Sequence, residues 1–203
     1  MPNERQSLLV TKLFKPRWRS TSVTRPRLLQ LMDRGLENPL ILVVATAGSG
    51  KTTLVTDWTQ NHKERTCWLS LDSGDNDPVR FLTYLLGAIQ RIEPEFGQSM
   101  DSAPGSSHLS ALNSVCDAIL NELFTIADKL ILALDDYHII ESNEVHHVVN
   151  RLLAHLPPHV TIVLLSRSDP PLPLARMRAN GDLLEVRAKD LRFTQSEASE
   201  YFN

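Results

Sequence analysis

The chain has 203 residues and a formal net charge of −3, and 42% of its residues are hydrophobic and 22% charged; these values exclude a disordered, collagen-like or coiled-coil protein. Its longest apolar run, around Leu40–Ala45, is far too short to span a membrane, and its first residues lack the apolar stretch of a signal peptide. Because the two cysteines, Cys67 and Cys116, form neither a disulfide framework nor a metal-ligand cluster, we expect a cytoplasmic protein.

Charge is distributed unevenly along the chain. Residues 1–40 contain eight Lys or Arg against three acidic residues, a local charge of +5, so the remaining residues carry −8. A basic leading segment can bind phosphates or nucleic acid, or it can lie on the acidic body of its own protein. We favour the second interpretation and predict a basic segment over residues 1–38 that packs on a core domain over residues 39–203. Nothing else in the sequence supports direct binding to DNA.

Five apolar runs that favour strands alternate with longer segments of helical spacing. The first run, residues 40–46, has no two-residue alternation, which is typical of a strand buried on both faces. Strict alternation of strand and helix predicts a mostly parallel sheet in a three-layer α/β/α sandwich. A further helix should begin near Thr194, because Thr194-Gln-Ser-Glu197 has capping-box spacing. The predicted strands cover residues 40–46, 66–71, 130–135, 161–166 and 183–187, and the predicted helices roughly 51–62, 78–92, 108–128, 143–156 and 172–180.

The segment between the first strand and the next helix matches a phosphate-binding loop. Its sequence, Ala-Thr-Ala-Gly-Ser-Gly-Lys-Thr-Thr, fits the pattern G-x-x-x-x-G-K-[ST], except that Ala45 replaces the first glycine. Its two glycines let backbone N–H groups approach phosphates at a helix N-terminus, which favours an anion. We predict that Lys51 reaches the β- and γ-phosphates and that the Thr52 hydroxyl binds Mg²⁺; the alternative is a glycine turn with a solvated lysine. The predicted nucleotide contacts in this loop are Ala47, Gly48, Ser49, Gly50, Lys51, Thr52 and Thr53.

An acidic element follows about eighty residues later. The apolar run Leu130–Leu134 ends in Asp135 and Asp136, which places two carboxylates at the edge of the predicted sheet. Asp135 is predicted to hold Mg²⁺ together with Thr52, and Asp136 to orient or deprotonate the attacking water. Because a whole strand lies between the two motifs in the sequence, we predict the P-loop NTPase strand order 5-1-4-3-2. In that order the end of the fourth strand, with Arg167, lies close to the γ-phosphate.

Two arginines are further candidates. Arg167 begins a Pro-rich loop after the fourth strand, where it can contact the terminal phosphate, report its loss or stabilise charge during transfer. The alternative for Arg167 is a surface ion pair with Asp169. Arg25 precedes a short helix ahead of the first strand and either covers the adenine or is solvated. Structural roles are favoured for the remaining polar candidates, which are His138, His146, His147, Asp72, Asp75 and Asp77.

Several strings of the sequence resemble the nucleotide-binding domain of MalT-like transcriptional regulators, which are of the LuxR type within the STAND class of signal-transducing ATPases. The resemblance covers about residues 8–203, and its motifs occur in the family's order. The family's first loop residue is commonly not glycine, so Ala45 departs from the general pattern more than from the family's. The strings are residues 47–54, 68–72, 76–82, 135–138 and 166–176.

The resemblance implies a molecular switch that binds ATP or ADP with Mg²⁺. ADP would hold a closed resting form, inducer binding and exchange for ATP would permit self-association, and slow hydrolysis would reset the switch. It assigns Lys51 to the phosphates, Thr52 and Asp135 to Mg²⁺, Asp136 to water activation and Arg167 to sensing of the γ-phosphate. DNA would be bound only through a C-terminal helix-turn-helix region outside these 203 residues, and the small-molecule inducer is not identified.

Two other functions stay open at the level of the sequence. One is a stand-alone P-loop enzyme, such as a small-molecule kinase, in which Arg167 or the basic segment holds the substrate. The other is a scaffold that binds nucleotide without hydrolysing it. The number and order of the matching motifs favour the regulatory switch over both.

Overall fold

The computed structural model describes residues 8–17, 25–61, 65–98, 108–195 and 197. Residues 99–107, which separate the helices predicted over 78–92 and 108–128, and most of the helix predicted from Thr194 therefore lie outside the described residues. Within the described ranges no helix is long and apolar enough to cross a membrane. The strands are β1 (Leu40–Val44), β2 (Arg65–Ser70), β3 (Leu130–Asp135), β4 (Val160–Ser166) and β5 (Leu183–Arg187), and the helices are α1 (Pro26–Arg34), α2 (Lys51–Asn61), α3 (Pro78–Gln90), α4 (His108–Leu123), α5 (Asn143–His155) and α6 (Leu174–Asn180).

The five strands form one parallel sheet in the order β2-β3-β4-β1-β5. Read from the other edge strand, this is the predicted order 5-1-4-3-2. The predicted α/β class is confirmed as well. Strand β4 lies between β1 and β3, with Val44 paired to Ser166 and Leu134 to Leu164. The carboxyl ends of these three strands therefore meet at one edge, where open parallel sheets bind their ligands.

Strand β1 shows why the sheet is covered on both faces. All five of its residues are buried, and successive side chains point to opposite faces. Leu40, Leu42 and Val44 belong to a core cluster shared with α3, α4 and α5. Ile41 and Val43 belong to a second cluster shared with α1 and α2. An unbroken apolar run is therefore what this central strand requires.

Several helices are shorter than predicted, and for two of them a local reason is evident. The helix predicted to reach residue 128 ends at Leu123. There the hydroxyl of Thr125 donates to the carbonyl of Glu122 and competes with the helical pattern. The helix predicted from residue 172 begins at Leu174, because Pro173 disfavours a helical conformation in the residue before it.

Acidic side chains cap the turns and helices where the sequence predicts them. Asp77 is the N-cap of α3 and accepts a hydrogen bond from the Arg80 N–H at 2.7 Å. The predicted capping box at Thr194 is present: its N–H donates to the Glu197 carboxylate at 2.8 Å, and the Glu197 N–H donates to the Thr194 hydroxyl at 3.3 Å. Asp72 likewise caps the short turn that follows β2.

A buried cation joins the N-terminal segment to the loop after β2. Lys12, in the 3₁₀ turn Val10–Leu13, is only 6% exposed; its ammonium pairs with Asp75 and lies 3.0 Å from a carboxylate oxygen of Asp72. The same ammonium lies 4.2 Å from the centre of the Tyr84 ring. One charge of the basic segment is thus held by carboxylates of the rest of the protein, while the division of the chain after residue 38 stays a prediction.

Candidate functional site

The loop between β1 and α2 contains two glycines in the left-handed region. Gly48 has a φ of 75° and Gly50 a φ of 86°, which residues with a Cβ seldom adopt. A Cβ added at either position would meet no atom within 4 Å. Glycine is therefore required by the backbone conformation, and the space beside the loop is open. Ala47 and Thr53 are exposed, and the loop leads into the first turn of α2, where free N–H groups favour an anion.

The Lys51 side chain folds back over this loop. Its ammonium donates to the carbonyls of Ala45 at 2.8 Å and of Thr46 at 3.0 Å, and the residue is buried. Burial lowers the pKa of Lys51, and Arg167 adds to this effect, while Asp135 and the next carboxylate oppose it. A phosphate placed against the loop would supply negative charge that favours the ammonium form.

The Thr52 hydroxyl and the Asp135 carboxylate are in contact. Thr52 Oγ1 donates to the two carboxylate oxygens, at 3.1 and 3.3 Å. Asp135 is 5% exposed, and burial, with a smaller effect of Asp136, raises its pKa to about 6. A hydroxyl and a carboxylate in contact are the oxygen ligands that Mg²⁺ takes in phosphate-binding sites. These residues fit Mg²⁺ for a further reason: a cation would stabilise the ionised carboxylate that burial disfavours.

Asp136 turns the chain away from β3. It has a left-handed backbone, with φ 57° and ψ 34°, and its N–H donates to Asp135 Oδ1 at 2.9 Å. Its carboxylate is half-exposed and lies 3.9 Å from Nδ1 of His138. That nitrogen is buried and has no hydrogen-bond partner among the described residues. The sequence favoured a structural role for His138; its position two residues after the second acid was the signal that places it beside the site.

Arg167 is the first residue after β4 and is exposed. Ser166, the residue before it, pairs with Val44 at the end of β1, so Arg167 lies at the same end of the sheet as the phosphate loop. In addition to burial, its charge lowers the pKa values of Lys51 and His138. The alternative of an ion pair with Asp169 is wrong, because Asp169 pairs with Arg187 instead. Within the part of the chain that the structure describes, Arg167 makes no hydrogen bond or ion pair and is available to a ligand.

Arg25 belongs to a different cluster. It is 8% exposed, its Nη2 donates to the carbonyl of Arg192 at 2.8 Å and lies 3.5 Å from the Glu197 carboxylate. Its guanidinium lies 4.8 Å from the centre of the Phe193 ring, and its Nε is buried without a partner among the described residues. Arg25 is therefore not a solvated side chain. No described contact joins it to the phosphate loop, and its place beside adenine stays a prediction.

The remaining titratable candidates have structural surroundings. Cys67 and Cys116 are buried, and burial raises the pKa of their thiols to about 12 and about 11. Nδ1 of His146 lies 3.0 Å from the Tyr137 hydroxyl, in the core. Nε2 of His147 lies 2.9 Å from the side-chain oxygen of Asn113 on α4. These contacts account for the side chains without a ligand.

The chain is similar in sequence to bacterial proteins described as HTH-type transcriptional regulator MalT. It is 36% identical over 196 residues to MalT of Cronobacter sakazakii, an alignment that covers 97% of this chain and 22% of that protein. It is 32% identical over 193 residues to MalT of Vibrio cholerae, covering 95% and 21%. The chain thus spans about a fifth of the length of these relatives. No protein-family model matches the chain.

Among solved structures, the chain is similar to a Walker-type ATPase of Pyrococcus abyssi. The TM-score is 0.51, and the superposition covers 95% of this chain and 60% of that one. Only 14% of the aligned residues are identical, so this likeness concerns the fold alone. The fold of a Walker-type ATPase agrees with the phosphate loop after β1 and the acidic end of β3.

Proposed function

This chain is homologous to the MalT transcriptional regulators and has the fold of a Walker-type ATPase, and from that premise we propose that it is an ATP-binding regulatory switch domain. In the proposed switch, bound ADP holds a resting form, exchange of ADP for ATP permits self-association, and slow hydrolysis of ATP restores the resting form. The observation that carries the proposal is the hydrogen bond of 3.1 Å between Thr52 and Asp135. It joins two segments that are far apart in the sequence, directly beside the left-handed glycine loop.

The nucleotide phosphates would lie against the loop from Ala47 to Thr53. Backbone N–H groups of that loop and of the start of α2 would bind phosphate oxygens, and Lys51 would exchange its two carbonyl acceptors for β- and γ-phosphate oxygens. Thr52 and Asp135 would hold Mg²⁺, and the ion would supply positive charge to offset the negative charge of the phosphates. The raised pKa of Asp135 supports this assignment, since a buried carboxylate gains most from a cation.

Hydrolysis would use the groups that surround the position of the terminal phosphate. Asp136, half-exposed at the start of its turn, would take a proton from water as the water oxygen forms a bond to the γ-phosphorus. The bond from that phosphorus to the bridging oxygen then breaks, and ADP leaves with the bonding electron pair. Arg167 would donate to the γ-phosphate oxygens and stabilise their charge, which makes it both a catalytic group and a sensor of the phosphate.

The remaining parts of the proposal concern the whole regulator. The matched relatives are HTH-type transcriptional regulators of which this chain spans about a fifth. We therefore assign DNA binding to a helix-turn-helix region of the whole protein and inducer binding to a separate sensor region. Self-association would follow ATP binding to this domain. Other regions of the whole protein would supply part of the pocket wall, so this chain alone would bind ATP more weakly than the whole protein.

Replacement of Asp136 by asparagine tests the hydrolytic step. In Asp136→Asn, Mg-ATP affinity should stay within about twofold, while ATP turnover should fall by about 100-fold, because the general base is lost. Asp182→Asn is the matched control, since it makes the same change in charge just ahead of β5, at the opposite end of the sheet. Unchanged turnover in Asp136→Asn would remove it as the base. Transfer of phosphate to a small metabolite would favour the kinase, and intact binding without turnover in the wild type would favour the scaffold.

A further inference from the structure

Asn76 joins two loops at the carboxyl edge of the sheet. Its Nδ2 donates to the carbonyls of Ser73 at 3.1 Å and of Ile139 at 3.2 Å. Its Oδ1 accepts from the N–H groups of Glu141 at 2.7 Å and of Ser142 at 2.9 Å. Both donor hydrogens and both acceptor lone pairs of one amide are thus used. Rotating the amide by half a turn would face donors with donors, so the partners themselves set its orientation.

The turn that Asn76 holds begins at Asp136. The Ile139 N–H donates to the Asp136 carbonyl at 3.0 Å, which closes the 3₁₀ turn Tyr137–Ile139. Asp136 has the left-handed φ of 57° that a residue with a Cβ adopts only when its surroundings enforce it. On the strand side, its N–H is held by Asp135 Oδ1. On the other side, the constraint comes from the bonds that Asn76 makes to residues 139–142.

The loop that carries Asn76 is itself firmly anchored. Asp75 is completely buried and accepts from the N–H of Asp72 at 2.8 Å. It also pairs with the buried Lys12 of the N-terminal segment. The N–H of Leu71, just before this loop, donates to the carbonyl of Asp135 at 3.0 Å. A side chain on so constrained a backbone can hold a neighbouring turn in one position.

We infer that Asn76 is a positioning residue for the water-activating carboxylate of Asp136. Three of its four hydrogen bonds fix the turn after β3, and with it the direction in which this carboxylate faces the attacking water. The inference rests on the proposed function, because Asn76 acts only through Asp136. It assigns the Asn76 side chain no contact with nucleotide, so removal should affect turnover and leave affinity unchanged.

Asn76→Ala and Asn38→Ala form a matched pair for the test. Both asparagines are half-buried and donate to a carbonyl of another loop, but Asn38 bonds to Gly181 at the opposite edge of the sheet. In Asn76→Ala the kcat for ATP should fall about tenfold or more, with KM and Mg-ATP affinity within about twofold. Hydrogen exchange at residues 139–142 should become faster. Asn38→Ala should change none of these.

Combination with Asp136→Asn separates positioning from general stability. If Asn76 acts through Asp136, the double variant turns over ATP as slowly as Asp136→Asn alone, whereas multiplied losses would overturn the inference. Equal losses in Asn76→Ala and Asn38→Ala would also overturn it, since a stability effect would then suffice. If the wild-type chain binds Mg-ATP but shows no turnover, the hydrolytic step of the proposed function fails. Hydrogen exchange at residues 139–142 then tests whether Asn76 holds this turn, and unchanged exchange rates in Asn76→Ala would refute it.

Discussion

Removal of the buried charge at Asp135 should stabilise the nucleotide-free protein. Burial raises the pKa of this carboxyl to about 6, against an ordinary value of about 3.9 in an unfolded chain. Each pKa unit is worth about 1.4 kcal/mol, so the ionised carboxylate costs the folded state about 3 kcal/mol at neutral pH. The attraction of Lys51 is already included in that pKa. Asp135→Asn keeps an oxygen that can accept from Thr52 and from the next N–H, and it removes the charge.

The pH dependence gives the sign of the effect. A carboxyl with a raised pKa in the folded state imposes no cost below about pH 4, where it is protonated in both states. The cost grows as the pH rises and is complete above about pH 6. At pH 7.5, Asp135→Asn should therefore be more stable than the wild type by about 3 kcal/mol, or by about 6–12 °C in Tm for a chain of this size. At pH 4 the two proteins should be equally stable.

Urea and thermal unfolding across pH 4–8 without nucleotide or Mg²⁺ would check this. Asp182→Asn is the control for the loss of one negative charge, and it should show no comparable rise in stability. Lower stability of Asp135→Asn at pH 7.5, or a gain that does not depend on pH, would refute the reasoning. Either result would mean that the Asp135 carboxylate is already stabilised in the nucleotide-free site and has no need of a cation.

Two further substitutions test the buried cation and the glycine loop. Lys12→Met should lower the free energy of unfolding in urea by about 3 kcal/mol, because among the described residues it leaves the completely buried Asp75 with only Arg80, at 3.4 Å, as a cationic partner; a change below about 0.5 kcal/mol would contradict this. Gly48→Ala should destabilise the protein by about 1–2 kcal/mol through its φ of 75°, although an added methyl group has free space. Equal stability and equal Mg-ATP affinity in Gly48→Ala would show that the loop conformation is not required.

The fold was predictable because its signals are local. The unbroken apolar run of β1 indicates a strand buried on both faces, and the structure buries all five of its residues. The strand order was predicted from the presence of β2 between the two motifs in the sequence. That strand indicated that β3, which ends in Asp135, is not adjacent to β1 in the sheet. The helix ends were less accurate because they depend on single contacts, such as the Thr125 hydroxyl bonded to the carbonyl of Glu122.

The parts of the site that could not be predicted depend on residues far apart in the sequence. Lys12 is buried where it forms an ion pair with Asp75, a residue far from it in the sequence. Nothing in the composition of the basic segment distinguishes Lys12 from the other basic residues there. Arg25 is held by Glu197 near the other end of the described chain. The raised pKa of Asp135 depends on how completely the folded sheet edge covers it. Spacing and residue type indicate which groups can act, whereas burial and partners appear only in the folded structure.

Calorimetric titration of the chain with Mg-ATP and Mg-ADP tests the central claim most directly. The wild type should bind both nucleotides, and Lys51→Ala should abolish binding because it removes the ammonium that would meet the β- and γ-phosphates. Lys129→Ala is the matched control, since this exposed lysine precedes β3 at the opposite edge of the sheet, and its affinity should equal that of the wild type. Equal affinity in Lys51→Ala and the wild type would contradict the assignment of the phosphate-binding loop.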